Sequence, residues 1–262
     1  MRGMHSRRSR SVQGRILIGG AVLLAIFLVA SCSNGSEPNA PSGTDTADPT
    51  TSSVRILNDC PELPCQGSLE PGEYRWAFSK PTIDFEIPSP GWTWYYSGNL
   101  RIVADTSPTI EGLYVAEGVY FLPQPAIASR DCEESTDPSV GRSVKDLAAW
   151  LEAARGLAVS DPTPVSVGGL DGVRLDIELD PAWRKTCFFS EGLPAVPLIF
   201  NGAKLGGYHL AIVPDQSMRW YILDSDDGVI IVDIEDGPEG LSHDDLLEAA
   251  TPIIESFAFS AA

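Results

Sequence analysis

Histidine is scarce in this 262-residue chain, which has only three, and basic residues are few: 18 Lys and Arg face 36 Asp and Glu, for a net charge of −18. A chain so acidic is repelled by phosphate backbones and by anionic membrane surfaces, which makes nucleic acid and charged lipid poor partners. The surplus reads first as solubility, with cation binding as the sharper alternative. No apolar run reaches the roughly 20 residues a transmembrane helix needs. Neither a G-x-S-x-G elbow nor a C-x-x-C pair occurs, and no histidine neighbours a cysteine, so zinc is not indicated and no metal is expected. Beyond residue 32 only His209 and His243 remain as imidazoles for acid–base chemistry.

Acidic residues are also missing from the first 36 positions, whereas Arg2, Arg7, Arg8, Arg10 and Arg15 gather there. The apolar run Ile16–Ala30 that follows is short of a membrane span, which is how a signal-peptide core reads. It ends in Val29-Ala30-Ser31-Cys32, which resembles the lipobox of bacterial lipoproteins. That resemblance implies cleavage before Cys32, a diacylglyceryl group on its sulfur with palmitate-type acylation, and residence on the extracytoplasmic face of the cell membrane. Residues 1–31 would then be a signal peptide. Residues 32–53 hold no aromatic and no aliphatic side chain larger than Ala or Pro, so they cannot repay an ordering entropy and read as a disordered tether. A coil of that length reaches about 25 Å. Residues 54–262 fit one domain.

With Cys32 lipidated, Cys60, Cys65, Cys132 and Cys187 remain, an even number in an oxidising compartment. Of the three possible pairings we favour a local Cys60–Cys65 clip and a long-range Cys132–Cys187 staple. Loop entropy assigns about 2 kcal/mol to the first closure and about 4 kcal/mol to the second.

Period-two alternation predicts strands at Glu73–Ser79, Ile83–Ile87, Leu100–Ala104, Leu113–Leu122 and Val173–Leu179. Leu170-Asp171-Gly172 is read as the turn joining Pro164–Gly169 to the last of these. Tyr208–Val213, Met218–Asp224 and Val229–Glu235 read as a meander. Helices are expected at Ser143–Arg155 and Ser242–Glu255, each opening S-x-x-D, with Gly156 suiting the C′ position of the first and Pro252 kinking or ending the second. Ser256–Phe259 closes as an edge strand. The fold class expected is α+β, an antiparallel sheet with helices packed on it.

Phe85–Trp92, Val165–Leu175 and Ile254–Phe259 together resemble small secreted lipoproteins of the LpqN type and, more distantly, the PsbP-like α/β/α sandwich. The resemblance implies an extracytoplasmic binding or accessory protein and transfers no catalytic residue. Trp183–Phe200, the C-P-E-L-P-C clip and the W-T-W-Y-Y cluster depart from that pattern.

Trp92, Trp94, Tyr95 and Tyr96 are the candidate binding residues. They follow Pro88-Ser89-Pro90-Gly91, which breaks a sheet, and aromatic faces offer large contact area at low entropy cost. Asp224, Asp226 and Glu235 fall at EF-hand positions 1, 3 and 12, but Val229 stands where glycine is required, so a hairpin turn explains them better. Asp131, Glu133, Glu134 and Asp137 read as a solvated loop around a disulfide. The functional expectation is non-catalytic binding, without cofactor, of an envelope glycan, a small molecule or a protein. An envelope hydrolase, or a structural subunit of a surface complex, is the alternative.

Overall fold

The computed structural model describes residues 53–57, 65–77, 79–96, 100–105, 117–200, 209–237 and 240–260. The expected signal peptide, the expected lipidation at Cys32, the expected tether up to residue 52 and the expected Cys60–Cys65 clip, through Cys60, lie outside these residues.

A nine-stranded antiparallel sheet organises the rest. Its order is β2 (Cys65–Leu69), β5 (Trp92–Tyr96), β6 (Leu100–Ala104), β7 (Gly118–Pro123), β14 (Gly228–Glu235), β13 (Ser217–Ser225), β10 (Leu170–Leu179) and β8 (Leu157–Val159), with β9 (Thr163–Val167) also paired to β10. Strand β14 is apolar at both parities because both of its faces are covered. Ile230, Val232 and Ile234 pack in one core, Val229 and Ile231 in the other.

The first core is closed by a second sheet, β1 (Arg55–Ile56), β3 (Gly72–Trp76), β4 (Thr82–Ile87) and β15 (Ala258–Ser260), and by helix α2 (His243–Glu255). The second is closed by the β11 (Val196–Phe200) and β12 (His209–Ile212) pair and by helix α1 (Val144–Glu152). The described residues are therefore mostly β, 48% strand against 13% helix, and the expected α+β class with a PsbP-like α/β/α layering is overturned. Each helix buries only four side chains, too little area to cover a sheet of nine strands, so short strands do most of the covering. Strands β1, β2, β8 and β11 carry no clear alternation, and none was expected from sequence.

Both helices start as their capping residues dictate. Ser143 Oγ accepts the Asp146 N–H at 3.2 Å and the Asp146 carboxylate accepts the Ser143 N–H at 3.3 Å. Ser242 Oγ accepts the Asp245 N–H at 3.2 Å. The first helix caps at Ala153, ahead of Gly156, and the second runs through Pro252 to Glu255. Pro252 sits in the last turn, where its missing N–H forfeits a single hydrogen bond.

Two connections differ from expectation. The β9–β10 turn falls at Gly168-Gly169, both with positive φ as a two-residue hairpin requires, and Val167 pairs with Leu170. Strand β12 does not continue a meander: it pairs with β11, while β13 lies between β10 and β14. Strand β15 does close a sheet edge, on β4. The Cys132–Cys187 disulfide is formed, with Cα atoms 5.4 Å apart.

Candidate functional site

Strand β10 runs out at Leu179 and the chain turns on Asp180. The Asp180 Oδ1 accepts the Ala182 N–H at 2.8 Å, and its carbonyl accepts the Trp183 N–H at 2.8 Å. This turn brings Trp183 onto Gly156. A Cβ there would lie 2.5, 2.7 and 2.8 Å from Cδ2, Cε3 and Cε2 of the indole, nearly equidistant from three adjoining ring atoms, so Gly156 covers one ring face. The indole N–H donates to the Ala195 carbonyl at 3.0 Å, which fixes the ring's rotation. Ala195 is itself held by its N–H to the Lys185 carbonyl at 2.9 Å and by a bridge between Thr186 and Pro194 next to the disulfide. Facing Trp183 across a cleft of about 460 Å³ is the Pro214–Ser217 turn, where Asp215 takes a φ of 61°.

Behind that turn lies buried acid. Gln216, 4% exposed, lines the cleft, accepts the Val213 N–H on Oε1 at 3.1 Å, and donates from Nε2 to Glu235 Oε1. The pleat puts Asp233 and Glu235 on one face of β14, two residues apart. Asp233 sits in a lateral row with Tyr120, Arg101 and Tyr95 on one side and Trp220 and Leu175 on the other. Arg101 lies over the Tyr120 and Tyr95 rings, 5.0 and 5.8 Å from their centroids. Asp233 is 0% exposed, and among the described residues neither of its oxygens, nor Glu235 Oε2, has a hydrogen-bond partner.

Burial pushes the Asp233 carboxyl well above the usual carboxylate range, and the neighbouring Glu235 adds to it. The Trp220 indole opposes this without reaching ordinary hydrogen-bond geometry. Burial likewise pushes Glu235 up to about 8, against the pull of Arg101. Glu117, which accepts from the backbone of Leu241 and Gly237, is also raised, chiefly by burial.

No family model matches the chain, and no curated protein does. The site therefore rests on its own geometry.

The aromatic candidates divide between the two faces of β5. Trp92 is core, whereas Trp94 and Tyr96 are half-buried, packed on the first core with ring centroids 6.4 and 4.7 Å from that of Trp76. Tyr95 is half-buried on the opposite face, against Arg101. None of the four lines the Trp183 cleft. The side chain of His209 lies outside the described residues. His243 Nδ1 is 3.2 Å from Asp236 Oδ2, a carboxylate–imidazole pair, but neither residue lines the Trp183 cleft or the cavity beside Gln124. Asp224 and Glu235 sit at opposite ends of the β13–β14 hairpin, opposite Val229 and Met218, about 20 Å apart along the strand, so they share no calcium loop. Asp131, Glu133 and Glu134 are exposed around Cys132 and Asp137 is half-exposed, its carboxylate lowered by hydrogen bonds from Ser139.

A second cavity, about 440 Å³, lies at the opposite end of β14 among Gln124, Ile127, Asp137, Arg142, Leu147 and Asp227, and has no aromatic wall. Trp183, Asp215 and Gln216 were not singled out from sequence. A tryptophan within a Pro-rich stretch and an Asp-Gln turn look like ordinary loop residues. The one available signal was Val232-Asp233-Ile234-Glu235, two acids within an otherwise apolar strand.

The glycine under the indole provides a direct check on this geometry. Gly156→Ala is expected to push Trp183 off its seat and to force alanine into a φ of 89°. Overpacking and left-handed backbone together cost about 2–4 kcal/mol. Thermal unfolding measures that loss, and an unchanged midpoint would mean that the indole is not seated on Gly156.

Proposed function

We propose that this chain is a lipid-anchored, extracytoplasmic, non-catalytic binding protein of the cell envelope, and that it binds its ligand in the Trp183 cleft. The observation that carries the reading is the cleft itself. Its indole is held on one face and along its N–H edge before any ligand arrives, and a preformed aromatic wall lowers the ordering cost of binding. Anchoring comes from the Cys32 lipobox. Among the described residues no helix is long and apolar enough to cross a membrane.

The binding half is tested by titrating the full-length lipoprotein with small molecules and glycan fragments from envelope extracts while following the Trp183 indole N–H signal by NMR. A ligand that shifts this signal, and whose affinity falls about tenfold or more in Trp183→Ala, is the expected result. Ligands that bind with no response at Trp183 would move the site elsewhere. For the anchor, Cys32→Ser should release the protein from lipid modification. A wild-type chain of unmodified mass would overturn it.

A further inference from the structure

The Trp183 cleft carries one sign of charge in excess. Glu178, Asp180 and Asp215 line it, against the single cation Arg184. None of these three carboxylates forms an ion pair among the described residues. Arg184 Nη1 donates to the Pro181 and Trp183 carbonyls, 2.6 Å each, so this guanidinium is turned to the backbone of its own turn. The indole adds to the same polarity. Gly156 covers one face, Ala195 takes the N–H and the ring packs against the second core, yet Trp183 still lines the cleft, where a cation would meet the electron-rich face that Gly156 leaves uncovered. Such a face attracts cations, most strongly when it belongs to tryptophan. Pro181, Pro194 and Pro214 supply apolar wall between these groups.

Each class of ligand meets this lining differently. An anion is repelled by the carboxylates and by the ring face. A neutral polyol gains area but nothing from the charge. A cation with a small apolar body gains from the ring, the carboxylates and the prolines together. The net charge of −18 draws it in over longer range. We propose that the cleft takes a small organic cation, an ammonium or quaternary ammonium group, seated on the open face of Trp183 with Asp180 and Asp215 beside it. This rests on the binding reading above and names the ligand class. The volume, about 460 Å³, lies within the range of small-molecule sites.

The test uses the full-length lipoprotein in detergent, with choline as the probe and its uncharged isostere 3,3-dimethyl-1-butanol as the control. Choline should shift the Trp183 indole N–H signal and bind about tenfold or more tighter than the isostere. Trp183→Leu, which keeps apolar volume without a ring, and Asp215→Asn should each weaken choline about fivefold or more, with thermal midpoints reported for both. Raising salt from 0.05 to 0.5 M should weaken choline and leave the isostere unchanged. Equal binding of the two probes, or choline binding that survives Trp183→Leu, overturns the cation assignment. If choline fails while an envelope glycan shifts Trp183, the cleft is the site and the cation assignment is wrong. If no ligand of any class perturbs Trp183, the binding reading fails as well.

Discussion

Raising the pH from 5 to 8.5 should lower the thermal midpoint of this protein by about 10 °C. Glu235 is pushed up to about 8 in the folded chain, against an ordinary glutamate value of 4.5, because it is buried beside Asp233 and Asp236. A carboxyl raised on folding makes the folded state the better proton acceptor across the interval between the two values. Its stabilising contribution is therefore complete below pH 4.5 and is lost as pH climbs through 8. At 1.36 kcal/mol per pKa unit the loss is on the order of 4 kcal/mol, and a domain of this size shifts about 2–4 °C per kcal/mol. Asp233 and Glu117 are raised in the same direction and add to the slope. Carboxylates that are lowered, such as Asp84 beside Arg75, act below pH 4 and stay out of this window. Glu235→Gln keeps the shape and the Gln216 contact without the ionisation, so it should flatten the profile and raise the midpoint at pH 8.5. A wild-type midpoint that is level or rising between pH 5 and 8.5 would show that the buried pair is ionised at little cost.

Reduction of the Cys132–Cys187 bond should be nearly as costly. The two cysteines are 55 residues apart, and closing a loop of that length removes about 4 kcal/mol of unfolded-chain entropy. Cys132→Ser with Cys187→Ser is expected to lower the midpoint by about 10 °C. The effect on the site should be larger than the stability loss alone conveys. Lys185, Thr186 and Ala195 hang from this bridge, and Ala195 holds the Trp183 N–H. Loss of the indole N–H shift dispersion in the double mutant, at a temperature where the sheet still gives native circular dichroism, would show that the staple orients the cleft. An unchanged Trp183 signal would assign that job to Gly156 and the Asp180 turn alone.

Features whose cause is local are legible in the sequence, and those set by distant groups are not. Ser143 and Ser242 marked their helices because a cap is a contract between residues three apart. Val173–Leu179 and Ile83–Ile87 alternate because a pleat has period two, and both are strands. Once Cys32 had been set aside, counting cysteines left three pairings; Cys132–Cys187 belonged to the favoured one, and the structure forms it. Strand partners were not legible. Nothing in Tyr208–Val213 says that β12 joins β11 while β13 joins β10 and β14, since that choice depends on which faces remain uncovered elsewhere in the chain.

The burial of acids was hidden for the same reason. Asp233 and Asp227 are the same residue type six positions apart, yet one is 0% exposed and the other lies on the hairpin turn. The chain by itself determined both helices with their capping, the alternating strands and its own heavy negative charge, because those depend on neighbours in sequence. The layering of strands over both faces of the large sheet, the seat of Trp183 on Gly156 and the sealing of Asp233 and Glu235 from water belong to the tertiary structure. Each arises from groups far apart in the chain, and only packing decides which carboxylates keep their water.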